Sequence, residues 1–302
     1  MRSDALILDD FIPLEHSFFQ DMYRFGFRMG LPVFLYDSPD TSKDPSKNAV
    51  YGSNAFKTIT KLKSRLVRDI VAKGYDVTWT DTDILWFHDP IPLLRALKSD
   101  FVVQSNAPFP EEAESNGPLR INSGFYRVRA TTVTLAALNE IVSHASASDS
   151  TEQPSFYMVL CGGENGDRVY KDKMCLYQSS KLVAQLAAAK SELTPTILPP
   201  VEVPPATLVT PREGHSMLVE FLNRTQFPNG NVNGLWDKPL PMHDADLYIL
   251  HNNWIRSIRA KVERLLKQKM WFYDKEQLIC RYEERPVFPM EFAFDAAFDG
   301  ED

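Results

Sequence analysis

Asp81 and Asp83 stand two residues apart after a β-type run, Tyr75-Asp76-Val77-Thr78-Trp79-Thr80. In an extended chain residues i and i+2 point the same way. Both carboxylates can therefore converge on one cation at the strand's end. Two carboxylates and a diphosphate are hard oxygen ligands, which suit Mn²⁺ or Mg²⁺ rather than a thiolate-seeking metal. Such an ion would bridge the two phosphates of a nucleotide donor and stabilise the charge that builds on the departing nucleotide. Apolar Ile84-Leu85-Trp86 and then Asp89-Pro90 follow, so the pair is expected between buried segments. Carboxylates in that setting need a compensating partner. A metal ion is one such partner, and a lysine or arginine is the other.

Four further residues carry candidate chemistry. His251 follows a short strand expected over residues 246–250, where a neutral imidazole could complete a metal shell; the alternative is a hydrogen-bonded structural histidine. Lys261 falls on a basic helix expected over 255–267. It either neutralises a diphosphate or shares a solvated face with Arg256, Arg259 and Lys267. Asn122 offers a donor and an acceptor to sugar hydroxyls, although Asn122-Ser123-Gly124 is equally good turn chemistry. Arg120 is a candidate partner for a phosphate or a carboxylate.

The elements that must hold these residues alternate between strand and helix. Ala5-Leu6-Ile7-Leu8 reads as a short buried strand and 31–37 as another, with a helical stretch over 14–29 between them. Residues 38–50 and 107–118 read as loops. Ile59, Leu62, Leu66 and Ile70 form an apolar stripe that predicts a helix over 56–73, closed by Gly74 in the left-handed position. Pro90 opens a short helix to 97. Strands are expected over 101–104, 121–128 and 247–250, and a helix over 131–142. This pattern predicts an α/β fold with a mostly parallel central sheet covered by helices, with ligands at the carboxyl ends of the strands. Residues 1–285 are read as one domain. An excursion with six prolines over 194–211 lies within it, and an acidic tail over 286–302 follows.

With 302 residues the chain can bury a sizeable core, and 44% apolar with 24% charged residues is ordinary for a globular protein. A net charge of −7 argues against nucleic acid as the main partner, because phosphate binding at that scale leans on clustered lysine and arginine. A small phosphorylated ligand needs only a local basic pocket or a metal. Cys161, Cys175 and Cys280 cannot all pair within one chain, so there is no disulfide scaffold and at most one bridge. Asn223-Arg224-Thr225 fits the N-glycosylation pattern. No run approaches the ~20 apolar residues of a transmembrane helix.

The run Gly74-Tyr75-Asp76-Val77-Thr78-Trp79-Thr80-Asp81-Thr82-Asp83-Ile84-Leu85-Trp86-Phe87-His88-Asp89-Pro90 resembles the signature of glycosyltransferase family 77, the DxD-type nucleotide-diphospho-sugar transferases. The likeness extends from about Lys57 to Lys261. Lys63 stands where the family has a lysine eleven residues before the glycine. Phe101-Val102-Val103-Gln104-Ser105 resembles the strand after the metal loop. Asn122-Ser123-Gly124-Phe125 resembles the strand near the donor sugar, and Glu152-Gln153 the acidic-Gln pair at the reacting centre. Phe227-Pro228-Asn229-Gly230 resembles a family loop. His251-Asn252-Asn253-Trp254 with Lys261 resembles the His-x-Asn motif and its following lysine.

The resemblance implies a Rossmann-like GT-A domain and a retaining transfer from a UDP-sugar to a glycan or glycoprotein acceptor. The sugar would be galactose, xylose or arabinose. It implies Asp81, Asp83 and His251 as metal ligands. Lys63, Asp81, Asp83, Arg120, Asn122, Ser123, Gly124 and Lys261 would bind the donor, and Glu152 and Gln153 would be catalytic. Retention by a covalent intermediate would need a carboxylate beneath the anomeric carbon, for which Glu152 is the candidate. The favoured route is attack on the leaving-group face, with Gln153 stabilising an oxocarbenium ion. Relatives are mostly Golgi proteins facing the lumen, so a lumenal place is expected if an anchor precedes this chain, and a cytoplasmic one otherwise. Ser257 replaces the family's usual glycine, Tyr157 replaces a frequent asparagine, and the chain is read as starting at the family's second strand. Leu85 argues against a haloacid-dehalogenase-type phosphatase, whose motif wants threonine or valine there. A non-catalytic or truncated transferase-fold protein that binds nucleotide or glycan is the remaining alternative.

Overall fold

The computed structural model of the chain describes residues 6–9, 52–106, 120–162, 170–171, 174–179, 216–237, 246–271, 273–274 and 279–280. The elements expected over 14–29, 31–37, 38–50, 107–118 and 194–211, and the acidic tail, lie outside them.

A seven-stranded sheet forms the centre. In chain order its strands are β1 (Leu6–Asp9), β2 (Val77–Thr80), β4 (Phe101–Ser105), β5 (Ile121–Val128), β6 (Tyr170–Lys171), β7 (Met174–Gln178) and β8 (Ser216–Phe221). Their order across the sheet is β1-β2-β5-β4-β8-β7-β6. The expected α/β class holds, and the sheet is mixed rather than mostly parallel. β1 with β2 and β4 with β8 pair in parallel, while β2 with β5, β5 with β4, β8 with β7 and β7 with β6 are antiparallel. The link from β4 to β5 carries no helical pattern in sequence, and a return without a crossover helix leaves neighbouring strands antiparallel.

Both faces of the sheet's centre, β2, β4 and β5, are buried. α1 (Asn54–Ala72), α3 (Thr132–Ala147) and α4 (Gln153–Cys161) cover one face. Leu66 and Val71, Val133 and Leu138, and Phe156 and Leu160 meet Trp79, Val103, Tyr126 and Val219 there. α2 (Ile91–Ala96) and the turn at Phe227 cover the other face over Val102 and Phe125. Every residue of β5 is accordingly buried. α1 starts at Ser53, whose hydroxyl accepts from the Phe56 N–H at 3.1 Å. It ends ahead of Gly74, at φ +87°.

A second, two-stranded sheet decides the site. β3 (Ile84–Trp86) pairs antiparallel with β9 (Ile249–His251), with Ile84 opposite His251. The strand expected over 247–250 thus runs later and includes the histidine. α5 (Ile258–Lys267) begins three residues after the expected start. A third pair, β10 (Tyr273–Asp274) and β11 (Ile279–Cys280), closes the described chain. Among the described residues, no helix is long and apolar enough to cross a membrane.

Candidate metal centre

Asp81 leaves the end of β2, and its N–H donates to the Gly124 carbonyl on β5 at 2.8 Å. Asp83 immediately precedes β3, and its carbonyl accepts from the Asn252 N–H at 2.8 Å. The β3–β9 register then sets His251 beside both. His251 Nε2 lies 3.1 Å from Asp83 Oδ1 and 3.9 Å from Asp81 Oδ2. One ligand atom from each of the three residues falls within 4.8 Å of the others.

Each carboxylate turns its second oxygen to a lysine. Lys63 Nζ, from α1, donates to Asp81 Oδ1 at 2.9 Å, and Trp79 Nε1 donates to the same oxygen at 2.9 Å. Lys261 Nζ, from α5, donates to Asp83 Oδ2 at 2.7 Å. The two partners weighed from sequence, metal or lysine, are therefore not exclusive. The lysines occupy the outer oxygens and leave the inner ones facing the imidazole. Burial opposes ionisation of Asp83. With a proton between Asp83 and His251, the His251 contact and then Lys261 outweigh it and hold the carboxyl well below the usual carboxylate range.

His251 is oriented from behind. Gln104, fully buried, donates through Nε2 to the Phe227 and Pro228 carbonyls at 3.1 and 3.0 Å. Its Oε1 is thereby turned to His251 Nδ1 at 3.0 Å. This contact calls for a proton on Nδ1 and leaves the Nε2 lone pair aimed at Asp83. Asn253 Nδ2 also approaches Nδ1, at 3.3 Å, and two donors cannot share that contact. The shorter contact, to an amide whose other end is already fixed, decides the tautomer. Three acceptors then face one another, which demands a proton or a cation between them. Two carboxylate oxygens and one imidazole nitrogen fit Mn²⁺ or Mg²⁺, the nitrogen favouring Mn²⁺.

Gly124 makes the approach possible. A Cβ there would collide with the His251 ring and come within 2.8 Å of Asp81 Oδ2. Alongside, Asn122 Nδ2 donates to Asn106 Oδ1 at 3.2 Å, and its Oδ1 accepts from the Gly124 N–H at 2.9 Å. Ser123 donates through Oγ to Glu152 Oε1 at 2.9 Å and through N–H to Gln153 Oε1 at 3.2 Å. Glu152, only 2% exposed, also meets Lys63 Nζ at 3.3 Å. Gln153 opens α4 and is half-buried.

The family model for nucleotide-diphospho-sugar transferases matches residues 20–265. The chain belongs to this family. Among transferases it is 34% identical over 264 residues to the β-arabinofuranosyltransferase RAY1 of Arabidopsis thaliana, covering 86% of this chain and 42% of that protein. It is 22% identical over 237 residues to the UDP-galactose:fucoside α-3-galactosyltransferase of Dictyostelium discoideum, covering 77% of this chain and 31% of that protein. The chain thus spans less than half the length of these two relatives.

For a nucleotide-sugar transferase the assembly is coherent. Lys63, Asp81, Asp83, Asn122, Ser123, Gly124, Glu152, Gln153, His251 and Lys261 come together, from segments far apart in sequence. Arg120 is exposed immediately before β5, and its carbonyl accepts from the Asn106 N–H at 2.6 Å. Sequence reasoning missed Trp79, Gln104 and Asn106 as parts of the site. The quoted motifs contain the first two, but their partners, Asp81 and His251, are fixed only by folding. The link after His251 is also held. Arg264 donates to Asn252 Oδ1 at 2.8 Å and to the Asn253 carbonyl at 2.6 Å, and its guanidinium lies 4.1 Å from the centre of the Trp236 ring.

Proposed function

We propose that this chain is a retaining, metal-dependent glycosyltransferase. It would move galactose, xylose or arabinose from a UDP-sugar to a glycan or glycoprotein acceptor. The convergence of Asp81, Asp83 and His251, backed by Lys63 and Lys261, carries this reading. The names of the two relatives favour arabinose or galactose as the sugar.

Asp81, Asp83 and His251 would hold Mn²⁺ or Mg²⁺, which when bound supplies Lewis-acid stabilisation of the diphosphate leaving group. Lys63 and Lys261 bring two positive charges to the outer oxygens of the same two carboxylates and would offset the diphosphate. Asn122 and Ser123 would offer the sugar the hydrogen-bonding capacity that their bonds to Asn106, Gly124 and Glu152 leave over. Glu152 is buried and committed to Lys63 and Ser123, so it serves better as a support for them than as a nucleophile. That favours attack on the leaving-group face, with the departing phosphate taking the acceptor's proton. Gln153, at the N-terminus of α4, would face the positive charge that develops on the sugar. The buried Cys161–Cys175 disulfide suits an oxidising compartment, and on this reading the protein works in the secretory lumen.

Hydrolysis of a panel of UDP-sugars with Mn²⁺, with EDTA and with Asp83→Ala tests the proposal without knowledge of the acceptor. UDP release from one sugar, lost in EDTA and in the variant, is the expected result. Absence of both turnover and Mn²⁺-dependent UDP binding, read by thermal shift, would overturn it in favour of a non-catalytic transferase-fold protein.

A further inference from the structure

Trp254 is used by nothing described so far, and three observations single it out. Its side chain is large and apolar, yet the residue is 55% exposed. Its backbone lies at φ +56°, a region that a bulky residue enters only under strain. Its indole N–H donates to Asn106 Oδ1 at 2.8 Å, the same oxygen that accepts from Asn122 Nδ2. Burial does not offset the strained backbone. The surrounding link holds it instead, through the bonds from Arg264 to Asn252 and Asn253. The ring is therefore fixed in direction by its N–H and left open to solvent, one shared oxygen away from the sugar-facing Asn122.

We propose that Trp254 is a stacking platform for a sugar ring of the acceptor glycan. The inference rests on the transferase reading above. A pyranose or furanose carries an apolar C–H face, and an indole face with its negative quadrupole matches it. The donor's diphosphate is served by the metal ligands and the lysines, and its sugar by Asn122 and Ser123, which are 1% and 3% exposed. A half-exposed ring, joined through Asn106 to these buried groups, is placed for the molecule that arrives second, from solvent. Pinning the N–H to Asn106 aims the ring before the acceptor arrives, which lowers the ordering cost of binding.

Saturation-transfer NMR tests this with the full chain, Mn²⁺, UDP and four probes: methyl β-galactopyranoside, methyl α-fucopyranoside, methyl β-xylopyranoside and methyl α-arabinofuranoside. At least one glycoside is expected to bind the native protein. Binding should weaken roughly fivefold in Trp254→Ala, the scale of one lost aromatic contact. Trp254→Phe keeps a ring without the N–H and should retain most of the binding. The UDP signal, expected in all three proteins, reports the donor site independently. If UDP binds and no glycoside does, or glycoside binding survives in Trp254→Ala, the platform is wrong. Equal loss in Phe and Ala would assign the effect to the Asn106 bond and overturn it too, as would loss of UDP in the alanine variant alone. Failure of UDP to bind the native protein would instead sink the transferase reading beneath it.

Discussion

At the scale of single residues, the candidate metal centre depends on groups outside its three proposed ligands. Gln104 is the clearest case. Its amide is fixed by two backbone carbonyls and hands its oxygen to His251 Nδ1. Loss of such an orienting partner typically costs 10–100-fold in metal affinity. Gln104→Ala should weaken Mn²⁺ binding in the presence of UDP by about that factor, read by calorimetric titration; unchanged affinity would remove Gln104 from the site. Gly124 is constrained by space rather than by bonding. In Gly124→Ala the new methyl must displace the His251 ring, so Mn²⁺-dependent stabilisation by UDP should disappear even if the protein still melts cooperatively. Retention of that thermal shift would show that the ring can move aside at little cost, contrary to its hydrogen bond with Gln104. The sequence makes the ligands legible because i and i+2 on a strand share a face, a rule that needs no tertiary contact. It hides Gln104 and Trp79, because an amide and an indole in buried strands look like ordinary core until their partners are known.

At the scale of elements, the pairing of β3 with β9 brings a histidine from late in the chain to the aspartates. Three residues each side are too few for a period to show, and His251 itself reads as the residue after a strand rather than its last one. The long elements were legible: the helix marked by the stripe on α1 and the strand β5 were both expected nearly where they lie. The mixed direction of the sheet was not, because pairing direction is set by how the chain returns and not by the pattern of any one strand. The start of α5 carries a local conflict. Ser257 caps the helix by accepting from the Ala260 N–H at 3.3 Å, while its own φ is +70°. The family's usual glycine at this position now has a physical reason, since glycine enters that region freely. Ser257→Gly should release about 1–3 kcal/mol of backbone strain and give up only a few tenths of a kcal/mol of capping. A net gain of about 1 kcal/mol raises the melting temperature by roughly 2–4 °C in a chain of this size. A lower melting temperature in differential scanning fluorimetry would mean that the hydroxyl's bond outweighs the strain.

At the scale of the molecule, the net charge of −7 does not describe the site, where Lys63 and Lys261 are aimed at the two aspartates. That local arrangement has to be held by the scaffold, and α4 is one link in it. Its first turn carries Gln153, with Glu152 just before it, and its last residue is Cys161. The bond from Cys161 to Cys175 ties that end to β7, the neighbour of the edge strand β6. A cross-link closing a loop of sequence separation 14 contributes about 3 kcal/mol by restricting the unfolded chain. Reduction should therefore lower the melting temperature by on the order of 5–10 °C. It should also free two thiols that are blocked in the unreduced, denatured protein, counted by maleimide mass tagging. A slackened α4 would let Glu152 withdraw from Lys63 and Ser123, so Mn²⁺-dependent UDP binding should weaken on reduction as well. If all three cysteines label without reductant and reductant leaves melting unchanged, α4 is held by packing of Phe156 and Leu160 alone. The oxidising-compartment part of the proposed function would fall with the bond, while the metal centre, which uses neither cysteine, would stand.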